Sequence, residues 1–204
     1  MLHKRIIGVI AVENGWAVQS FGYRHTLPLG KPEWLAENLD RWGADEIIII
    51  DFGRSRKGLG PDMDLIHRLG ALGLTTPITY GGGIATVEQV VAVIQAGVER
   101  VCIDSLLQDN PELVISIARQ VGAQAIVAVF PVSLSGHNLE WYNHRKCTVN
   151  TVNLSALALL SQGYISEALV VDWQHEGQPG GFNPALIEQF SNQVPGVPLL
   201  LYGG

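Results

Sequence analysis

Long hydrophobic runs are missing from this chain of 204 residues. No apolar stretch reaches the ~18–20 residues that a helix needs to cross a bilayer, which argues against a membrane-spanning protein or a membrane partner. Cysteine is scarce: Cys102 and Cys147 are the only two, too few for a disulfide framework, and a reducing compartment is expected. Cys102 falls in an apolar run and reads as a core residue. Basic residues are also few, 13 Lys and Arg against 19 Asp and Glu; the net charge of −6 argues against a nucleic-acid-binding surface. Met1-Leu-His-Lys-Arg lacks the apolar segment of a signal peptide, so the expected location is cytoplasmic. What is present is ordinary for a globular domain with a large core, at 47% hydrophobic and 16% charged residues.

The most informative stretch is Thr79-Tyr80-Gly81-Gly82-Gly83-Ile84. A short apolar run precedes the three glycines. Val87, Val90, Val91 and Ile94 follow with helical spacing, and Thr86 with Gln89 has capping-box spacing. Strand, glycine loop and helix is the geometry in which bare backbone N–H groups point at an anion. A tight strand-to-helix turn is the plainer reading, but it would need only one or two glycines, which favours a phosphate cradle.

The stretch recurs. Tyr202-Gly203-Gly204 repeats Tyr80-Gly81-Gly82 at an offset of 122, from 82 to 204. Asp51 and Asp172 each end an apolar run, at an offset of 121. Such constancy implies a duplicated half containing four strand–helix units, and two halves make an eightfold barrel. The fold class expected is therefore α/β, a (β/α)8 TIM barrel. It forms one domain over 1–204, with homologous halves at about 1–122 and 123–204, the second incomplete. A barrel of this kind typically has about 250 residues. The chain ends at the glycine loop of its seventh strand, so the last strand and last two helices are expected to be absent, leaving open edges on strands one and seven.

In order, the strands expected are Arg5–Val12, Glu46–Asp51, Pro77–Tyr80, Arg100–Asp104, Gln124–Phe130, Glu167–Asp172 and Pro198–Tyr202. They alternate with helical patterns, which predicts a parallel sheet. Asn14-Gly15 and Ser135-Gly136-His137-Asn138 mark hairpins inserted after strands one and five. Gly53-Arg54-Ser55-Arg56-Lys57-Gly58 reads as a polar loop.

In such barrels chemistry sits at the C-terminal ends of the strands. Asp51, Asp104 and Asp172 end strands two, four and six, each a candidate pocket acid, electrostatic clamp or hydroxyl acceptor, or else a cap or loop ion pair. Ser105 follows Asp104 as a hydrogen-bond donor to a first phosphate. Strands one and five end in Ala11-Val12 and Phe130-Pro131, which cannot do acid–base work. At the opposite face Arg5, Glu46, Arg100 and Glu167 begin strands one, two, four and six. They are either a solvated rim or a ring of alternating charge across the opening.

The segments Met1-Leu-His-Lys-Arg-Ile-Ile7, Gly43-Ala-Asp-Glu46, Gly81-Gly-Gly-Ile84, Asn110-Pro-Glu-Leu113, Gly122-Ala-Gln-Ala-Ile126, Glu167-Ala-Leu and the final Gly203-Gly204 resemble, over the whole chain, the cyclase subunit of imidazole glycerol phosphate synthase. The resemblance implies a (β/α)8 barrel that takes ammonia from a glutaminase docked at its N-terminal face. At the other face it closes and splits a phosphorylated ribulosyl intermediate, with no metal or organic cofactor. Arg5, Glu46 and Glu167 match the family's ammonia gate, and Arg100 stands where lysine is usual. Gly82, Gly83, Asp104 and Ser105 fall at the first phosphate site; Gly177, Gly203 and Gly204 fall at the second. Asp104 replaces an asparagine, and its carboxylate would repel an anion unless protonated or turned away. The family's general acid and base are aspartates where this chain has Ala11 and Pro131, and Gln174-His175-Glu176-Gly177 departs from the family's Asp-Arg-Asp-Gly. Three functions follow: a diverged paralogue feeding ammonia to another amidation, such as that of a surface-polysaccharide sugar; a working cyclase of histidine biosynthesis that uses substitute acids, Asp51 or Glu13; or a non-catalytic partner.

Overall fold

The computed structural model describes residues 4–136 and 138–203. The chain divides into two compact units, Met1–Gln19 with Leu27–Cys102, and Ser20–Thr26 with Ile103–Gly204.

In the first unit the strands are β1 (Ile7–Glu13), β2 (Trp16–Phe21), β3 (His25–Gly30), β4 (Glu46–Asp51), β5 (Ile78–Gly81) and β6 (Arg100–Ile103). The last two residues of β2, the turn after it, the first two residues of β3 and the last residue of β6 are counted with the second unit. The helices are α1 (Pro32–Arg41), α2 (Phe52–Lys57), α3 (Met63–Gly70) and α4 (Val87–Gln95). The sheet order is β6-β5-β4-β1-β2-β3. β1, β4, β5 and β6 are parallel, whereas β2 runs antiparallel to β1. Ile47, Ile48 and Ile49 are completely buried because a parallel strand is covered on both faces. Helix starts follow the local chemistry. Pro32 opens α1, where its missing N–H costs nothing. Thr86 caps α4 by accepting from Gln89 N at 3.3 Å, and Gln89 Oε1 accepts from Ala85 N.

The second unit contains α5 (Ser105–Asp109), α6 (Pro111–Val121), β7 (Ile126–Ser135), β8 (Asn138–Asn143), β9 (Thr148–Thr151), α7 (Leu154–Ser161), β10 (Glu167–Asp172), α8 (Pro184–Gln193) and β11 (Leu199–Tyr202). β7, β10 and β11 are parallel, and β8 and β9 continue antiparallel from β7. Phe130 packs against Trp141 and Phe190 with ring centroids 4.7 and 5.0 Å away. That cluster ties β7 and β8 to α8.

The expected eight-stranded barrel ending after its seventh strand is corrected. The described residues form eleven strands and eight helices, and neither unit's sheet closes on itself. The count exceeds seven because each of the two expected hairpins adds two strands, hydrogen-bonded to the strand it leaves. Ala11, Val12 and Glu13 pair with Val18, Ala17 and Trp16, and β7 runs on to pair Val132–Ser135 with β8. The open edge expected on strand one is thus covered by β2 at its C-terminal end, while among the described residues β11 has β10 as its single neighbour. The polar stretch expected to be a loop is α2, capped by Asp51, whose side chain accepts from Arg54 N. Among the described residues no helix is long and apolar enough to cross a membrane.

Candidate functional site

At the strand starts of the first unit, Glu46 is 3% exposed. Arg5 Nη1 lies 3.4 Å and Arg100 Nη1 3.3 Å from its Oε2, and Thr79 donates its hydroxyl to Oε1. Register explains the grouping, because Thr79 pairs with Arg100, and Ile47 beside Glu46 pairs with Ile78. Two cations and a hydroxyl hold one buried carboxylate, which satisfies the demand that a buried charge be paired. Three of the four residues expected at the gate meet here; Glu167 begins β10 in the second unit.

At the other end of the same strands, Asp51 is 1% exposed. Its Oδ1 accepts from Arg54 N at 3.2 Å. Burial lifts its carboxyl from 3.8 to about 6, and the nearby Asp62 adds to the effect against the pull of Arg54. A carboxyl near neutrality is suited to give or take a proton. Glu13, the other substitute acid, pairs with Arg56 at 3.6 Å.

The glycine loop after β5 is packed against its own unit. A Cβ on Gly83, where φ is +68°, would lie 2.2 Å from Gly60 O, and one on Gly82 would lie 2.3 Å from Asp51 O. Glycine is required here by close backbone approach. Gly83 N donates to Ser55 Oγ at 2.9 Å, so an anion at this amide would displace that hydroxyl.

In the second unit Asp104 stands at the N-cap position of α5 without making a cap bond, and Ser105 is the first residue of that helix. Its oxygens serve other groups: Oδ1 accepts from Gln108 Nε2 at 2.8 Å, and Oδ2 lies 3.1 Å from His144 Nδ1. Gln108 in turn accepts from Asn143 Nδ2 at 2.8 Å, which pins the β8–β9 turn to α5. Asp172 accepts from Asn183 N at 2.8 Å and lies 2.9 Å from His175 Nδ1. A Cβ on Gly177 would lie 2.3 Å from Ser20 O, and one on Gly203 2.9 Å from Asp172 O. Gly204 lies outside the described residues. Ala11 pairs with Val18 and Ile50, and Pro131 pairs with Val171; neither position carries an ionisable group.

Sequence reasoning missed Glu176, which is 2% exposed. Its Oε2 accepts from Ser20 Oγ at 3.1 Å and Tyr23 N at 3.4 Å, and its Oε1 accepts from Tyr202 OH at 3.4 Å. Burial pushes the Glu176 carboxyl up in spite of these donors. The departure at Gln174–Gly177 was its only signal. His144 had none: it is a histidine in a hairpin with no motif around it. Thr79 and Ser55 were equally silent. Among the described residues no three His, Cys, Asp or Glu side chains gather as metal ligands would. A cavity of about 430 Å³ in this unit is lined by Asn138, Glu140, Thr151, Leu157, Gln189 and Gln193, and none of the expected site residues reaches it.

Comparison with known proteins bears on these groups. The family model described as histidine biosynthesis protein matches residues 5–204. The imidazole glycerol phosphate synthase subunit HisF of Exiguobacterium sibiricum is 29% identical over 207 residues, covering 100% of this chain and 82% of the relative. That of Anoxybacillus flavithermus is 31% identical over 208 residues, covering 100% and 81%. A putative imidazole glycerol phosphate synthase subunit hisF2 of Vibrio vulnificus is 28% identical over 205 residues, covering 100% and 75%.

Proposed function

Since this chain belongs to the histidine biosynthesis protein family, matched over residues 5–204, we propose that it works as a cyclase-type subunit of imidazole glycerol phosphate synthase. It receives ammonia from a glutaminase docked at its strand starts and closes the ring of a phosphorylated ribulosyl substrate. The observation that carries this reading is Asp51, a buried carboxyl at the end of β4 lifted to about 6. Such a group exchanges protons near neutral pH without help from the ends of β1 and β7. Glu46, held between Arg5 and Arg100, supports the ammonia side, because partly desolvated opposite charges prefer contact and a docked partner can rearrange them. On this reading Gly82, Gly83, Ser105, Gly177, Gly203 and Gly204 bind the substrate's phosphates.

A second reading has its own observation. Ala11 and Pro131 supply no acid or base where the resembled cyclases carry aspartates. That favours glutamine-dependent amidation of another acceptor, such as a polysaccharide sugar. Rescue of a histidine auxotroph lacking its cyclase subunit decides between them. Growth without histidine supports ring closure. No growth, with folded protein present, sinks it and leaves amidation of another acceptor.

A further inference from the structure

The polar stretch at residues 53–58 folds into α2, and its first arginine makes more contacts than a solvated side chain needs. Arg54 N donates to Asp51 Oδ1 at 3.2 Å. Its guanidinium turns back along the loop that leaves α2. Nε donates to Gly60 O at 2.6 Å, Nη2 donates to Leu59 O at 3.1 Å, and Nη1 lies 3.5 Å from Asp62 Oδ2. The side chains of Arg54 and Asp62 are 27% and 17% exposed, so the pair is partly withdrawn from water. The planar fork of a guanidinium suits contacts divided in this way.

Asp62 is fixed in turn. Its Oδ1 caps α3 by accepting from Leu65 N at 3.0 Å, and its N–H donates to Tyr80 OH at 2.9 Å. Tyr80 is completely buried on β5, where it pairs with Ile49 of β4, two residues before Asp51. Gly60 O, which Arg54 holds, is the atom that a Cβ on Gly83 would strike. One arginine therefore ties together the end of β4, the loop into α3 and the glycine loop.

The charges facing Asp51 follow from this arrangement. Asp62 approaches from the loop before α3, Tyr80 from β5 and Arg54 from α2, each close enough to act on Asp51 or to feel it. Glu13 comes from β1: a Cβ on Gly53 would lie 3.4 Å from Asp51 Oδ1 and 3.5 Å from Glu13 Cγ. Arg56 pairs with Glu13 at 3.6 Å. Of these groups, Arg54 is the cation set against Asp62.

We propose that Arg54 is the positioning residue for Asp51, its amide orienting the carboxyl and its guanidinium offsetting the charge of Asp62. Its use in catalysis rests on the reading above, that Asp51 exchanges the proton in ring closure. Without the guanidinium, Asp51 and Asp62 face each other uncompensated, and Asp51 holds its proton to higher pH.

Carbon-13 spectra of aspartate-labelled protein follow the carboxyl without any substrate, with Asp51 assigned from Asp51→Asn. Arg54→Gln keeps a donor for the loop carbonyls and removes the charge, and its Asp51 midpoint should rise by about one pH unit. Arg54→Lys keeps the charge and should titrate near wild type. Asp62→Asn keeps a cap on α3 and removes the opposing acid, so the midpoint should fall. An unchanged midpoint in folded Arg54→Gln overturns the proposal, because an arginine that only staples the loop would change stability and leave the titration alone. If Arg54→Gln does not fold, Asp62→Asn decides, and a midpoint that does not fall overturns it. With ammonium and the ribulosyl intermediate, the limb of the pH–rate profile set by Asp51 should move with the carboxyl in Arg54→Gln. A limb that stays in place, or a wild type without turnover, defeats the use of Asp51 in ring closure, and the carboxyl titration still decides the place of Arg54.

Discussion

Asp51 and Glu46 occupy opposite ends of one six-residue strand, and their burial has different consequences. Burial penalises the charged form of Asp51, and Asp62 adds to this against the opposing pull of Arg54. In the unfolded chain its carboxyl titrates near 3.8, in the folded chain near 6. The folded state therefore binds the extra proton across that window. The resulting stability is fully present below 3.8 and is lost as the pH rises through 6. The size is about 3 kcal/mol, since each pH unit of difference is worth about 1.4 kcal/mol. Asp51→Asn keeps an oxygen for Arg54 N and removes the titration. Urea unfolding from pH 4 to 7 should show wild type losing stability relative to Asp51→Asn by about that amount, and parallel pH curves would disprove it.

Glu46 instead has two cations and a hydroxyl in contact. Glu46→Ala leaves Arg100, 15% exposed at its side chain, without this carboxylate. A loss of about 2–3 kcal/mol in urea is expected. Arg5 is 40% exposed, so Arg5→Ala should cost under about 1 kcal/mol.

Among the elements, the loop after β5 illustrates how packing uses a glycine run. Gly83→Ala drives a Cβ into Gly60 O at a positive φ, and more than about 2 kcal/mol should be lost. Gly97 also has a positive φ, but a Cβ there meets nothing within 4 Å, and Gly97→Ala should cost only about 1 kcal/mol. Equal losses in chemical denaturation would remove the packing explanation. β11 raises a different matter. It presents an open edge, and Leu201 is 49% exposed. Concentration-dependent association in sedimentation is expected, and Leu201→Lys should weaken it; a wild type that stays monomeric at high concentration would refute this.

The same elements show what was legible in the sequence. Apolar runs bounded by turn residues located the parallel strands to within a few residues; β4 was read at its observed bounds, Glu46–Asp51. A capping residue located α4, where Thr86 accepts from the backbone as its spacing predicts. α2 escaped because six mostly polar residues carry no apolar period; its cap, Asp51, was visible only as the end of a strand. The hairpins were seen, but strand pairing is a long-range choice that local pattern does not state. Strand starts put Arg5, Glu46 and Arg100 within reach of inference. Asp104 and His144 are 40 residues apart, and only the fold brings them together.

For the molecule as a whole, the central claim is that a chain of this family without the usual strand-end aspartates still closes a ring from ammonia and a phosphorylated ribulosyl substrate. An assay with free ammonium needs no partner protein, so the chemistry can be isolated from the proposed docking. The direct measurement is the rate at which the purified chain converts the ribulosyl intermediate to imidazole glycerol phosphate in ammonium buffer, compared with that of folded Asp51→Asn. Product should form with wild type, and Asp51→Asn should be slower by about 100-fold or more. No product from folded wild type, or an unchanged rate in Asp51→Asn, would contradict the claim.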